Sequence, residues 1–215
     1  PARSSCLANQ PPHWKPSFAG RRTGRCTKVV ASVSRPISKC ATGNIEPRPA
    51  LPYTALVNRV GLGYDVHQLK TGRPLILGGA EIPHVTGLDG HSDADVLMHA
   101  ICDAVLGALG EGDIGSFFPP SDPQWKDAPS KIFLEEAARQ IAARSGRLIN
   151  VDAMLIAEAP KIAPHVAAMK ANIAAALGVS PNDIGIKATT NETMGFVGRG
   201  EGMAAHAVAS VELPD

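Results

Sequence analysis

The segment from Val60 to His67 alternates between two kinds of residue and predicts a β-strand with unlike faces. Apolar side chains occupy positions 60, 62, 64 and 66, while two glycines followed by Asp65 and His67 occupy the positions between them. Because side chains i and i+2 point to the same side of a strand, Asp65 and His67 share one face. We expect the apolar face to belong to the core and the Asp65/His67 face to stay free of it.

A third candidate ligand, His99, ends the polar stretch that begins at His91. One carboxylate and two imidazoles suit Zn²⁺ or another divalent transition metal, with a fourth coordination position left open. Two alternatives remain at this point. Asp65 could simply orient His67 at a sheet edge, and His99 could be a half-buried helical histidine without a ligand.

Residues 92–109 predict an amphipathic helix, with Ser92 and Asp95 in the spacing of a capping box. Its N-terminus, flanked by His91, is typical of an anion site because free amides and the helix dipole favour negative charge. On this helix Asp95 and Asp103 lie four residues to either side of His99, so one of them could orient its second ring nitrogen.

Polar residues also follow a later predicted strand. Thr189 and Thr190 offer hydroxyls to phosphate oxygens, and Glu192 could hold a hard cation such as Mg²⁺ or Mn²⁺. A polar strand end that leads into a turn is the alternative. The glycine-rich segment 195–202 contains Arg199, which predicts either anion capture or a flexible loop. Residues 157–161, where the strand predicted near 148–158 leads into a loop, could present free backbone amides and carbonyls to the edge of a nucleobase.

The order of predicted elements is β-β-α-α-β-α-β-β. The strands are expected near 59–67, 75–82, 148–158, 184–190 and 203–213, and the helices near 92–109, 130–145 and from 164 onward. This order indicates an α/β (α+β) sandwich in which one mixed β-sheet has helices on one face. The other sheet face would then be bare, so we expect it to pack against copies of the chain.

Charge divides the chain into a basic leader, 1–52, and a domain, 53–215. The leader holds nine Lys and Arg residues against the single acid Glu46, whereas the domain carries a net charge of −7. An Arg- and Ser-rich, acid-poor N-terminus is typical of an organelle transit peptide that is disordered on its own. A disordered arm that binds nucleic acid is the alternative. No apolar run approaches a membrane span, and only Cys102 lies in the domain, which excludes a disulfide framework.

Six motifs in order make residues 58–212 resemble the family of 2-C-methyl-D-erythritol 2,4-cyclodiphosphate synthases, which act in the non-mevalonate isoprenoid pathway. The motifs are Gly-Tyr-Asp-Val-His (63–67), His-Ser-Asp-Ala-Asp-Val-Leu-Met-His (91–99), Gly-Asp-Ile-Gly (112–115), Ala-Pro-Lys (159–161), Lys-Ala-Thr-Thr (187–190) and Gly-Arg-Gly-Glu-Gly (198–202). This resemblance leaves only the leader outside it.

The resemblance implies a homotrimer whose sheets pack around a three-fold axis, with active sites between subunits. It implies a metal-dependent lyase that converts 4-diphosphocytidyl-2-C-methyl-D-erythritol 2-phosphate to the 2,4-cyclodiphosphate and releases CMP. Neither nucleic acid nor a membrane is expected as a partner, and the composition of the leader predicts import into a plastid. Two other functions stay open: a metal-dependent phosphohydrolase on a similar substrate, and a non-catalytic trimer that binds an isoprenoid diphosphate.

The resemblance assigns roles to individual residues. Asp65, His67 and His99 would bind zinc, and Glu192 would bind Mg²⁺ or Mn²⁺. The residues implied in transition-state stabilisation are His91 and Thr190. The residues implied in substrate binding are Ser92, Asp113, Gly115, Ala157, Ala159, Pro160, Lys161, Ile162, Ala163, Thr189, Phe196 and Arg199. Within this set the stretch 157–163 would bind cytosine, largely through its backbone, at the active site of a neighbouring subunit. Phe196 and Arg199 would lie near the trimer axis beside the isoprenoid diphosphate. Pro120 stands where many family members carry an acid, which puts a substrate contact of that side chain in doubt.

Overall fold

The computed structural model describes residues 55–215. The predicted leader, its function in plastid import and the boundary at residue 53 lie outside that range and stay predictions. The strands of the described part are β1 (Leu56–Thr71), β2 (Leu75–Leu77), β3 (Ala80–Ile82), β4 (Thr86–Leu88), β5 (Arg147–Ile156), β6 (Ile184–Thr189) and β7 (Gly202–Pro214). The α-helices are α1 (Val96–Leu109), α2 (Ile114–Phe117), α3 (Lys131–Ala143), α4 (Val166–Leu177) and α5 (Gly195–Gly198).

Five strands form one mixed sheet in the order β4-β1-β7-β5-β6, and β2 pairs with β3 in a separate hairpin. Only β5 and β6 are parallel, with α4 in the connection between them. Helix α1 packs on β1 and β7, α3 packs on α1, and α4 packs on α3 and β6. The predicted α/β sandwich with helices on one face of a mixed sheet is therefore confirmed. The sequence pattern missed β4 and the one-turn helices α2 and α5.

Helix α1 is the centre of the core. Twelve of its fourteen residues are buried, as expected of a helix that is apolar on nearly all sides and lies between a sheet and a second helix layer. The sheet meets it with small and branched side chains: Ala205, Ala207 and Ala209 of β7 are all buried, as is Leu155 of β5. Cys102 also lies here, and burial raises the pKa of its thiol, which makes it a packing residue.

The expected core face of β1 was wrong. Val60 and Leu62 are 67% and 68% exposed, and the face that contacts α1 carries Gly61 and Gly63 instead. A Cβ atom on Gly63 would lie 1.9 Å from the carbonyl oxygen of Ala100 in α1. The missing side chains let strand and helix backbones touch, so hydropathy alone placed the core on the opposite face. The exposed apolar residues form a surface that we call the outer sheet face (Val60, Leu62, Tyr64, Val66 and Val208).

The predicted capping box was also wrong. Asp95 itself is the N-cap of α1, because one carboxylate oxygen accepts from the amides of Leu97 and Met98 at 3.2 and 3.1 Å. Its other oxygen accepts from the amide of Gly79 at 2.6 Å and so ties the β2–β3 hairpin to the helix. Burial raises the pKa of the Asp95 carboxyl to about 6, against the hydrogen bonds that favour its charged form.

Gly78 and Gly79 form the hairpin turn with φ of 57° and 69°, a conformation that two consecutive glycines adopt without strain. Among residues 55–215, no helix combines the length and hydropathy needed to cross a bilayer.

We predict that Gly63→Ala destabilises the fold by about 3 kcal/mol, because its methyl group overlaps the α1 backbone. The matched control is Gly107→Ala in α1, where the new Cβ would meet nothing closer than 3.8 Å. Removing a helical glycine at that position should be neutral or stabilising by up to about 1 kcal/mol. Urea unfolding followed by circular dichroism measures both, and equal midpoints for the two variants would contradict the prediction.

Candidate metal centre and cytidine-binding segment

The close contact between β1 and α1 brings Asp65, His67 and His99 together. Asp65 and His67 lie on the same face of β1 as Gly61 and Gly63, the face that touches α1. They are level with the first turns of the helix. His99 precedes Ala100, whose carbonyl lies against Gly63. The three residues form the one group within residues 55–215 whose His, Cys, Asp or Glu atoms could jointly hold a metal ion. The predicted three-ligand group is therefore present.

The three ligand atoms form a nearly equilateral triangle. Asp65 Oδ2 lies 3.0 Å from both His67 Nε2 and His99 Nδ1, and the two nitrogens are 3.1 Å apart. In a tetrahedral zinc site with bonds of about 2.0–2.1 Å, ligand atoms are separated by about 3.3 Å. Carboxylate and imidazole donors at this spacing fit a divalent ion that retains an open fourth position.

Charge and hydrogen bonding prepare these atoms for a cation. Burial alone would raise the Asp65 pKa, but the adjacent His67 and His99 imidazoles outweigh it and hold the pKa of that carboxyl well below its usual range. Burial likewise opposes the charged form of His67, yet the Asp65 carboxylate raises its pKa, so a metal ion that binds His67 Nε2 would take the place of a proton there. The outer nitrogen of His67, Nδ1, is 2.8 Å from the carbonyl oxygen of Asp89 and donates to it, which leaves Nε2 free to bind a metal.

The second nitrogen of His99 contacts two serines, not the expected aspartate. Nε2 lies 2.8 Å from Ser130 Oγ and 3.2 Å from Ser92 Oγ. Asp95 caps the helix instead, and Asp103 accepts from the amide of Ile114 at 2.8 Å. The expectation that Asp95 or Asp103 orients His99 was wrong because both carboxylates serve backbone amides. No sequence motif pointed to Ser130, which lies 31 residues from His99 in the chain.

A cavity of about 280 Å³ opens beside the three ligands. Its wall includes His67 and His99 together with His91, Ser92 and Gly115, and so joins three of the predicted motifs. Further wall residues are Ile114, Phe118, Pro120, Trp125 and Phe133. Pro120 thus lies at the cavity, where its ring offers no charged contact to a ligand.

Asp113 begins α2, next to this cavity. Its carboxylate accepts from the side chain and the amide of Ser116, each at 2.9 Å, and these hydrogen bonds lower its pKa. An ionised Asp113 within the Gly-Asp-Ile-Gly motif could accept hydrogen bonds from substrate hydroxyls.

The other predicted residues lie at a separate place, where β5 and β6 end. Strand register places Asp65 level with Ala188, three strands away across β7 and β5. Three strand spacings amount to roughly 14 Å. Thr190 and Glu192 follow Ala188 closely, and the Thr190 hydroxyl donates to the Glu192 carboxylate at 2.5 Å. The chain therefore carries two groups of site residues that do not meet within one copy of it. We call them the metal half-site (Asp65, His67 and His99) and the Glu192 half-site (Thr190 and Glu192).

The segment predicted to bind cytosine adjoins the second half-site. It comprises Ala157, Ala159, Pro160, Lys161, Ile162 and Ala163. The amide of Ala157 donates to the carbonyl of Thr189 at 3.0 Å, which holds the two strand exits together. Ile162 points into the core at 4% exposure, so only its backbone is available to a ligand.

Glu158 is a second residue that sequence analysis missed. One of its carboxylate oxygens accepts from the amides of Asn191 and Thr193, at 2.8 and 3.3 Å. Glu192 and Thr193, the last two residues of the turn at 191–193, have φ of 51° and 62°, a backbone conformation that residues other than glycine rarely adopt. Glu158 thereby holds the strained turn that presents Glu192.

Phe196 and Arg199 lie on and directly after α5. Phe196 is 38% exposed, and Arg199 forms two hydrogen bonds with Glu201, at 2.7 and 3.1 Å. The pairing raises the Arg199 pKa. Anion capture by Arg199 would have to compete with Glu201, so the isoprenoid diphosphate stays a prediction.

Comparison with known proteins agrees with this arrangement of motifs. The family model described as the YgbB family matches residues 58–212, most of the chain and nearly all of the described part. The chain belongs to the YgbB family. The match includes every residue of both half-sites.

Relatives with high identity include single-function synthases and longer bifunctional enzymes. The 2-C-methyl-D-erythritol 2,4-cyclodiphosphate synthase of Dechloromonas aromatica is 59% identical over 154 residues, which are 72% of this chain and 96% of that protein. The bifunctional enzyme IspD/IspF of Granulibacter bethesdensis is 57% identical over 160 residues, 74% of this chain but 43% of that protein. The chain thus spans less than half the length of the bifunctional relatives.

Solved structures of YgbB-type proteins show the same fold. The bifunctional IspDF of Campylobacter jejuni matches with a TM-score of 0.72 at 40% identity, over 75% of this chain and 44% of that one. The IspF of Plasmodium falciparum in complex with CDP matches with a TM-score of 0.64 at 34% identity, over 74% of this chain and 97% of that one.

We predict that Glu158→Ala releases the turn at 191–193, because two amides lose their acceptor while the residues with positive φ cost about 1–3 kcal/mol each to hold. Amide hydrogen exchange in peptides covering this turn should become at least about tenfold faster, since about 1.4 kcal/mol corresponds to a factor of ten. Glu158→Gln keeps a carbonyl acceptor and should exchange like the wild type. Unchanged exchange in Glu158→Ala would contradict the role assigned to this carboxylate.

Proposed function

We propose that the chain is a cyclodiphosphate synthase. It would convert 4-diphosphocytidyl-2-C-methyl-D-erythritol 2-phosphate to 2-C-methyl-D-erythritol 2,4-cyclodiphosphate and release CMP, a step in the supply of isoprenoid precursors. The observation that carries this proposal is the Asp65/His67/His99 triangle, whose two histidines line a cavity together with His91 and Ser92. The names of the full-length relatives and the CDP in a solved relative support it.

The reaction requires positioning more than covalent catalysis. An oxygen of the 2-phosphate attacks the β-phosphorus, the bond from that phosphorus to the bridging oxygen of CMP breaks, and no water is consumed. Because the nucleophile and the electrophile belong to one molecule, holding them in line supplies much of the rate. Nothing in this chemistry needs a serine or cysteine nucleophile.

Side chains at the two half-sites have distinct tasks in this proposal. Asp65, His67 and His99 would hold zinc or a related divalent ion, and Glu192 would hold Mg²⁺ or Mn²⁺, a cation commonly bound through one carboxylate together with substrate phosphates. Both ions, when bound, supply positive charge beside the phosphate oxygens.

The remaining tasks belong to hydroxyls, a ring and backbone groups. Ser92 would bind the attacking phosphate. His91 and Thr190 would donate to oxygens on which negative charge develops. The segment 157–163 would bind cytosine through backbone groups.

We infer further that the active chain is a homotrimer. Its two half-sites lie roughly 14 Å apart in one subunit, too far to contact one diphosphate together. The outer sheet face exposes a continuous set of apolar side chains that a second and third copy could cover. In a closed ring each copy would meet the next through unlike surfaces, so that one subunit's metal half-site faces its neighbour's Glu192 half-site.

The proposed activity predicts equal amounts of CMP and cyclic diphosphate when the full chain is incubated with the cytidine substrate, Zn²⁺ and Mg²⁺. Chromatography of CMP and ³¹P NMR of the second product measure both. Release of CMP with a linear product would replace the synthase by a phosphohydrolase. Binding of an isoprenoid diphosphate without any turnover would favour the non-catalytic trimer.

Shared sites predict complementation between two inactive variants. His99→Ala and Glu192→Gln should each lower turnover on the order of 100-fold, because each removes charge stabilisation from every site. After the two are mixed equally, dissociated and reassembled, about one site in four joins two intact halves in a three-fold ring. Turnover should therefore return to about a quarter of wild type. A mixture as inactive as its parts would contradict sites shared between subunits.

A further inference from the structure

The ring of His99 is held from both sides. Its Nδ1 points at Asp65 and His67, while its Nε2 points away from them at the fully buried hydroxyl of Ser130, 2.8 Å away. A neutral imidazole carries one proton, so only one of its two nitrogens has a free lone pair. Which nitrogen carries the proton decides whether His99 can bind a metal on the side of Asp65.

Ser130 is itself fixed by Asp93. The Ser130 hydroxyl forms a hydrogen bond to Asp93 Oδ1, and the Ser130 amide donates to Oδ2 at 2.9 Å. An ionised carboxylate has no hydrogen to donate. The hydroxyl hydrogen of Ser130 must therefore point at Asp93, which turns a lone pair of Ser130 Oγ toward His99. Because this lone pair lies 2.8 Å from His99 Nε2, closer than the Ser92 hydroxyl at 3.2 Å, a neutral His99 donates from Nε2 and keeps its own lone pair on Nδ1.

We infer that Asp93 and Ser130 are positioning residues that set the tautomer of His99, so that its Nδ1 lone pair faces Asp65 and His67. The inference rests on the metal site of the proposed function but not on the reaction. For His67 the same task falls to the backbone carbonyl of Asp89, which no substitution removes. For His99 the task falls to two side chains, so substitutions can reverse it.

Asp93→Asn is the sharpest test because an amide can invert the chain of hydrogen bonds. Asp93 Oδ2 faces the nearer backbone amide, that of Ser130 at 2.9 Å, whereas Oδ1 faces the amide of Asp95 at 3.2 Å and the Ser130 hydroxyl. The oxygen of the substituted side chain should stay at the nearer backbone amide, which points its NH₂ group at Ser130 Oγ. The Ser130 hydroxyl would then donate to His99 Nε2 and drive the proton to Nδ1, as replacing a buried carboxylate by an amide does in hydrolytic triads.

The experiment measures the Zn²⁺ dissociation constant of the metal-stripped full chain by competition with a chromophoric chelator. Asp93→Asn should weaken Zn²⁺ binding about 100-fold. Ser130→Ala should weaken it only about tenfold, because Ser92 Oγ remains 3.2 Å from His99 Nε2 as a second partner. The control is Asp127→Asn, an exposed carboxylate 3.8 Å from Arg73, which should bind Zn²⁺ like the wild type.

A second measurement, ¹⁵N NMR of histidine in the metal-free wild type, does not depend on how the variants fold. A proton on Nε2 of His99, with or without a second proton on the Nδ1 that faces Asp65, supports the inference, and an Nε2 without a proton overturns it. Zn²⁺ constants of Ser130→Ala and Asp93→Asn within about twofold of wild type would also overturn it while leaving the metal site intact. A wild-type chain that binds no Zn²⁺ would instead remove the metal site itself, and the inference with it.

Discussion

The contact between the backbones of β1 and α1 is the constraint on which the site depends. Gly61 and Gly63 have no side chains, so the carbonyl oxygens of Ala104 and Ala100 approach to 1.9 Å from the positions that Cβ atoms would occupy. At a normal strand-to-helix separation, His99 would be set back from the sheet by a further side-chain layer. The direct contact instead places His99 Nδ1 at 3.0 Å from Asp65 Oδ2. Two glycines thereby determine the dimensions of the candidate metal site, in which they take no part.

Hydrogen bonds from the outer ring nitrogens orient the two histidine ligands. Each histidine has its outer nitrogen engaged, His67 by the carbonyl of Asp89 and His99 by Ser130, so that the lone pairs converge on one point. Asp65 completes that point with a carboxylate whose pKa is held low by the two imidazoles. In the low dielectric of a partly buried site, lone pairs and a carboxylate that face one another without a partner are costly, so these three side chains favour binding of a cation.

The separation of the two half-sites is a consequence of sheet order. Because β7 and β5 lie between β1 and β6, the Asp65 and Thr190 ends of the proposed site are three strand spacings apart. A single sheet of this width cannot fold back to close that gap while α1 covers its inner face. The exposed apolar outer face and the divided site therefore have one explanation in the proposed trimer, in which neighbouring copies bury the first and complete the second.

The sequence by itself determined which residues could do the chemistry and much of the architecture. Period-2 alternation put Asp65 and His67 on one face, helical periodicity found the central helix with His99, and six motifs in order indicated the family. These signals are local, or they depend on residue identity alone.

Only the tertiary structure decided which face of β1 is buried, because hydropathy scores a glycine as neutral although a backbone can pack against it directly. It also decided which side chains support the site. Ser130 reaches His99 and Glu158 reaches Asn191 across 31 and 33 residues of chain, and Asp95 was occupied as a helix cap. Such contacts have no periodic signature, because they arise from how separate elements pack and from which backbone amides need an acceptor.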